Sequence, residues 1–172
     1  HYSAIHAAVD DKKYVDEALG RVKNYLISTL VGLNASKVYV CLDEPSLGAS
    51  GLPFETYFKE IFDGLDAIFS AEFEIVRTVH TCNDMDWERL FKAVDVISFD
   101  ASQYGSKLIN APGYSAFREN NGTVLWGINL GSDVLDPRDG DGLTATCGLG
   151  RSTPGNANRK LKQLYKVKEN LK

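Results

Sequence analysis

Cysteine is scarce in this chain: three in 172 residues, at positions 41, 82 and 147. An odd number of widely spaced cysteines excludes the paired framework that staples small secreted domains. The thiols are read instead as free, as in a reducing compartment, where they serve metal binding or catalysis. Basic residues are also in the minority, 19 Lys and Arg against 23 Asp and Glu, a formal net charge of -4. Phosphate backbones are bound by clustered cations, so nucleic acid is not expected as the main partner. No apolar run reaches the roughly 20 residues of a membrane span, so no membrane partner is expected. No secretory leader is visible, and a cytoplasmic location is expected; His1 is not a natural start, which places the true N-terminus upstream or makes it a processed end. Asn34-Ala-Ser and Asn121-Gly-Thr match the glycosylation triplet, but such triplets are frequent by chance and nothing else points to secretion.

What is present is an ordinary globular composition, 44% hydrophobic and 24% charged, long enough for one domain with a real core. Val15, Leu19, Val22, Leu26, Leu30 and Leu33 recur at spacings of three and four, which predicts a helix over about 13–33. Val38 to Leu42 reads as a buried strand stopped by Asp43-Glu44-Pro45. Phe54 to about Ser70 carries a helical stripe of Phe, Tyr, Ile and Leu. Phe73 to Val79 reads as a strand. A short helix over 84–92, capped by Asp84, follows. Val94 to Phe99 reads as a strand ending at Asp100, Tyr104 to Asn120 as a helix broken at Pro112-Gly113, and Thr123 to Ile128 as another strand. Ser132 to Gly142 is a polar loop, Cys147 lies in a glycine-rich loop, and 156–171 closes the chain as a helix. This alternation implies parallel strands with right-handed crossovers.

The candidate chemical residues Asp43, Glu44, His80, Cys82 and Asp100 all fall just after a strand. In a parallel barrel that is the face on which active sites are built. His80 and Cys82 are two apart, so an extended chain points both the same way. Imidazole and thiolate are good zinc ligands, and Cys147 is a third candidate, since Gly148 and Gly150 let the backbone bring a thiolate close. Asp100 is open to three readings: a fourth ligand, a group behind the ligands, or a helix cap before Ala101-Ser102. Asp43-Glu44-Pro45 is open to three as well: an acid/base pair, an amine-binding site, or a solvated turn. Cys41 reads as a small core residue, Trp87 and Trp126 as core, and His1 and His6 as incidental.

Leu42-Asp-Glu-Pro-Ser-Leu47, Val79-His-Thr-Cys82, Asp95-Val-Ile-Ser-Phe-Asp-Ala101, Trp126-Gly-Ile128 and Thr146-Cys-Gly-Leu-Gly150, in that order, resemble the C-terminal catalytic barrel of cobalamin-independent methionine synthase. The likeness runs from about Val38 to Gly150 and is greater to the short single-barrel relatives of that enzyme. It implies a TIM-type (β/α)8 barrel of the uroporphyrinogen decarboxylase/methionine synthase-like kind, and zinc held by His80, Cys82 and Cys147. Asp100 matches a position where the long enzymes have a glutamate ligand, shortened here by one methylene. Asp43 matches the carboxylate that binds the amino group of homocysteine, with Glu44 and Ser46 beside it; Trp126 would line the methyl-donor side. The implied activity is zinc-dependent methyl transfer to a thiol, homocysteine giving methionine, from a methyl-corrinoid, with a corrinoid protein as partner, or from methyltetrahydrofolate.

A complete barrel takes about 250 residues, and only four or five βα units are legible. The expectation is one partial barrel domain over 1–172, incomplete or truncated, with junctions near His6 and between Leu130 and Leu143. A true half-barrel would leave open edge strands to pair with another chain. Two other readings compete: a decarboxylase-like barrel in which Asp43 and Glu44 work without metal, and a non-catalytic fragment that binds a partner.

Overall fold

The computed structural model describes residues 12–43, 54–129 and 134–170. Five strands form one parallel sheet in the order β1 (Lys37–Asp43), β2 (Glu74–Thr81), β3 (Val96–Asp100), β4 (Thr123–Ile128) and β5 (Gly142–Ala145). Helix α1 (Lys12–Leu30) precedes β1, and α2 (Phe54–Phe69) leads into β2. Helix α3 (Trp87–Phe91) joins β2 to β3, while α4 (Ala101–Ile109) and α5 (Tyr114–Glu119) join β3 to β4. A 3-10 turn at Leu149–Arg151 and helix α6 (Pro154–Asn170) follow β5. The strands run in sequence order with no reversal, so right-handed crossovers lay their helices on one face of the sheet. No described helix is long and apolar enough to cross a membrane.

The core lies between that face and the helices. Phe54, Phe58, Ile61, Phe62, Leu65 and Phe69 form the buried stripe of α2. They meet the strand face that carries Val40, Leu42, Ile75 and Val79. On the other half of the sheet Trp87, Phe99 and Trp126 pack in series, with ring centroids 5.4 and 5.7 Å apart. Each such side chain contributes about 1.5–3 kcal/mol by leaving water. The opposite face is different. At its β1 edge Tyr39 and Cys41 are exposed, alternating with the buried Val40 and Leu42 as a strand requires, whereas Val76, Thr78, Val96 and Ser98 farther in are buried. Cys41 is therefore not the buried core residue expected.

Loop 134–141 is tied down by one carboxylate. Asp141 accepts from both Arg118 terminal nitrogens (2.7 and 2.6 Å), from the Val124 and Arg138 backbone N–H groups (2.9 and 3.0 Å) and from the Trp126 indole (2.9 Å). The side chains of Arg118 and Asp141 are 2% and 4% exposed. Asp141 directly precedes β5, so this cluster fixes where that strand begins.

The closed (β/α)8 barrel expected from the resemblance is not what the chain forms. Closure needs every strand to have two neighbours and the strand number to match the tilt. Among the described residues there are five strands, and β1 and β5 each pair with a single neighbour. The result is an open, half-barrel sheet. Two smaller expectations also change. Asp86, not Asp84, caps the helix after β2, accepting from the Arg89 N–H at 3.2 Å, and that helix is confined to Trp87–Phe91; Asp84 instead pairs with Lys107. Strand β5 falls where only loop was expected.

Candidate functional site at the carboxyl ends of the strands

Parallel register sets out the site before any side chain is considered. Asp43 pairs with His80, His80 with Ser98, Ser98 with Leu125, and Leu125 with Gly142. Partners in register point to the same side of a sheet, so Asp43, His80 and Ser98 share one row on the open face. The next row toward the carboxyl end is Asp100, Gly127 and Thr144. Cys82 lies one residue past β2, and Cys147 two past β5.

Strands β2 and β5 are separated by two others, so Cys147 reaches Cys82 only if its segment crosses back over β4. Gly127 makes the crossing possible. A Cβ at this position would sit 3.0 Å from the Thr146 Cα and 2.2 Å from the Phe99 carbonyl oxygen. A glycine inside a strand marks such a close approach of backbones.

The three predicted ligands meet as a chain with Cys82 in the middle. His80 Nε2 is 3.2 Å from Cys82 Sγ, and Cys82 Sγ is 3.6 Å from Cys147 Sγ. Among the described residues no group of three or more His, Cys, Asp or Glu side chains already surrounds a metal-sized point. The two measured edges nevertheless suit zinc. With Zn–S near 2.3 Å and Zn–N near 2.0 Å, a tetrahedral ion separates two thiolates by about 3.8 Å, and a thiolate from an imidazole nitrogen by about 3.6 Å. Both edges would have to lengthen by a few tenths of an ångström, and His80 and Cys147 would have to converge on the same point as Cys82. The other ring nitrogen, His80 Nδ1, lies 2.9 Å from Ser98 Oγ. In the tautomer that donates Nδ1–H to Ser98, Nε2 is left free to bind a cation, and a partner of this kind orients a ligating histidine.

The electrostatics point the same way. The Cys82 thiol is pushed up to about 12, by burial first, then by its hydrogen bond and charge interaction with Cys147, then by Asp43 and Asp100. Two carboxylates and a second sulfur therefore bear on one half-buried thiol. A divalent cation placed among them would reverse that disadvantage, since metal ions hold thiols deprotonated.

The chain matches no family model, no curated protein and no solved structure.

The remaining candidates fall in different places. Asp100 is buried and caps α4, accepting from the Ser102 N–H (3.0 Å), the Ser102 hydroxyl and the Gln103 amide (2.6 Å). Its carboxylate is thus engaged as a helix cap while its charge still reaches Cys82. Asp43 is exposed at the end of β1, in the row of His80. Trp126 is fully buried and pairs in register with Phe99, on the helix-covered face. Glu44 and Ser46, with His1 and His6, lie outside the described residues. Three residues not singled out from the sequence belong to the arrangement. Ser98 was legible as the position two before Asp100, on its face. Gly127 was legible as a glycine within a strand pattern. Thr144 was not, because its strand was missed; its hydroxyl is buried in the row of Asp100 and Gly127, with no hydrogen-bond partner among the described residues.

Proposed function

We propose that the chain is a zinc-dependent methyltransferase that methylates a thiol, with homocysteine as the acceptor and methionine as the product. The donor is a methyl-corrinoid or methyltetrahydrofolate. One observation carries this reading: His80, Cys82 and Cys147, with the two cysteines 65 residues apart in sequence, come within 3.2 and 3.6 Å of their neighbours at the carboxyl ends of parallel strands. The order of the motifs resembling cobalamin-independent methionine synthase supports it independently.

His80, Cys82 and Cys147 would hold the ion, and Ser98 would fix the plane of the imidazole. Bound zinc would keep the acceptor sulfur as thiolate, the nucleophilic form, at neutral pH. The exposed Asp43 carboxylate, one strand from His80, suits the ammonium group of an amino-acid thiol. Asp100 keeps its position by capping α4 and adds negative charge near the ion. A reducing, cytoplasmic setting would keep both thiols available.

The test is zinc content per chain in protein purified without added metal, beside a Cys82→Ser, Cys147→Ser double variant, followed by methylation of homocysteine with each donor. About one zinc in the parent, none in the variant and zinc-dependent methionine formation are expected. A folded parent without zinc would favour the metal-free decarboxylase-like reading. Zinc without methyl transfer from either donor would favour a non-catalytic, partner-binding role.

A further inference from the structure

We propose that Cys82 and Cys147 also close into a reversible disulfide under hydroperoxide, a bond that occupies both sulfurs and expels the metal. The competition with metal rests on the reading of these thiols as ligands; the disulfide itself rests on geometry alone.

The two sulfurs are 3.6 Å apart, and a disulfide brings them to about 2.05 Å. Cys147, the sulfur that must move, is exposed. A Cβ added at Gly148 or Gly150 would meet nothing within 4 Å, so the segment has open space around it. Cys82 is half-buried and backed by His80. Cys41 belongs to the edge strand β1, and the sulfur-to-sulfur contact is between Cys82 and Cys147.

The order of attack follows from exposure. Cys147 meets the hydroperoxide first: a sulfur–oxygen bond forms, the O–O bond breaks, and the thiol proton leaves with the departing oxygen as water or alcohol. The product is a sulfenic acid. Cys82 sulfur then attacks Cys147 sulfur, forming S–S and breaking S–O. The Cys82 proton passes to His80 Nε2, 3.2 Å away, and on to the leaving hydroxide, which departs as water. Two thiols lose two electrons in total and one peroxide is reduced. The tautomer that donates Nδ1–H to Ser98 serves this step as it serves a metal, because both need Nε2 free. A dithiol reductant reverses the bond by exchange.

The experiment treats reduced, metal-free protein with hydrogen peroxide, then counts free thiols and maps the linked peptides. Loss of two of the three thiols, a mass lower by two hydrogens, a Cys82–Cys147 peptide and full recovery with dithiothreitol are expected. Cys41→Ser should behave as the parent, and Cys147→Ser should form no internal bond. A bond involving Cys41, a link between two copies, or oxygen addition without a crosslink would overturn the proposal. A second arm repeats the treatment with one equivalent of zinc and a chromogenic chelator. At least tenfold slower oxidation, with zinc released as the bond forms, is expected. Bound zinc that leaves the oxidation rate unchanged would overturn the competition. A protein that binds no zinc would fail the preceding reading, and the peptide map would still decide the disulfide.

Discussion

Two polar clusters lie within a few residues of β5, and they are built on opposite terms. Around Asp141 one carboxylate receives five donors, a guanidinium supplies the opposite charge, and the ion pair is almost wholly buried. Around Cys82 the groups are of like tendency: burial first, and then a second thiol and two carboxylates, push its thiol pKa up, and the cluster is half-open. The first has its charge balanced within the protein and serves as a fastener. Among the described residues the second has no Lys or Arg bonded to its sulfurs, and this separates a candidate site from a strut more clearly than a count of polar residues would.

The contrast can be broken most forcefully at the fastener. Asp141→Ala strands the Arg118 guanidinium in the interior, and removing one partner of a buried ion pair costs about 3–5 kcal/mol. Urea unfolding should show a loss of that size, whereas Cys147→Ser in metal-free protein should unfold nearly as the parent does. Equal losses would mean that the two clusters are not different in kind. Next in size is Gly127→Ala. Its added methyl group meets backbone that must shift, at a cost of about 1–3 kcal/mol, and it pushes the Cys147 segment off β4. Metal binding should fall further than stability does; a fall in stability alone would remove Gly127 from the account of the site.

Ser98→Ala sharpens the comparison from the other side. Partners of ligating histidines are worth roughly 10–100-fold in metal affinity, so competitive chelator titration should show that loss with little change in the unfolding midpoint of the metal-free protein. An unchanged affinity would mean that the His80–Ser98 hydrogen bond does not orient a ligand. The smallest effect on the metal belongs to Asp43→Asn. Zinc content should be retained while the KM for an amino-acid thiol rises and that for a thiol without the amino group does not. Loss of zinc instead would make Asp43 part of the metal shell.

Much of this molecule is legible in its residues because the helix-covered face of each strand is apolar and the helix packed on it carries an apolar stripe. Thr123 to Ile128 falls where the structure has β4, and Pro112-Gly113 separates α4 from α5. Strand β5 escaped because Gly142-Leu-Thr-Ala is four half-buried residues with no β-branched run, stabilised by β4 and by Asp141 rather than by propensity. The cap after β2 was misplaced by two residues because Asp84 and Asp86 are equally good cap types, and only the fold shows that Asp84 is taken by Lys107. The residues His80, Cys82 and Cys147 were legible, but the route that unites them was not. That route depends on Gly127 letting one backbone cross another, a fact of three-dimensional register. The largest correction is closure: four or five βα units were legible and five strands are present, but motif order resembling a barrel enzyme says nothing about whether the sheet closes.

The 65-residue separation of Cys82 and Cys147 has a consequence for the unfolded chain. Whatever joins these sulfurs, ion or bond, draws a loop containing β3, β4 and β5. For a loop of that length the chain-entropy model removes about 4 kcal/mol of freedom from the denatured ensemble. Such a junction would therefore act as a clasp across the carboxyl-terminal half of the sheet, and emptying it would loosen the strands that carry the candidate site.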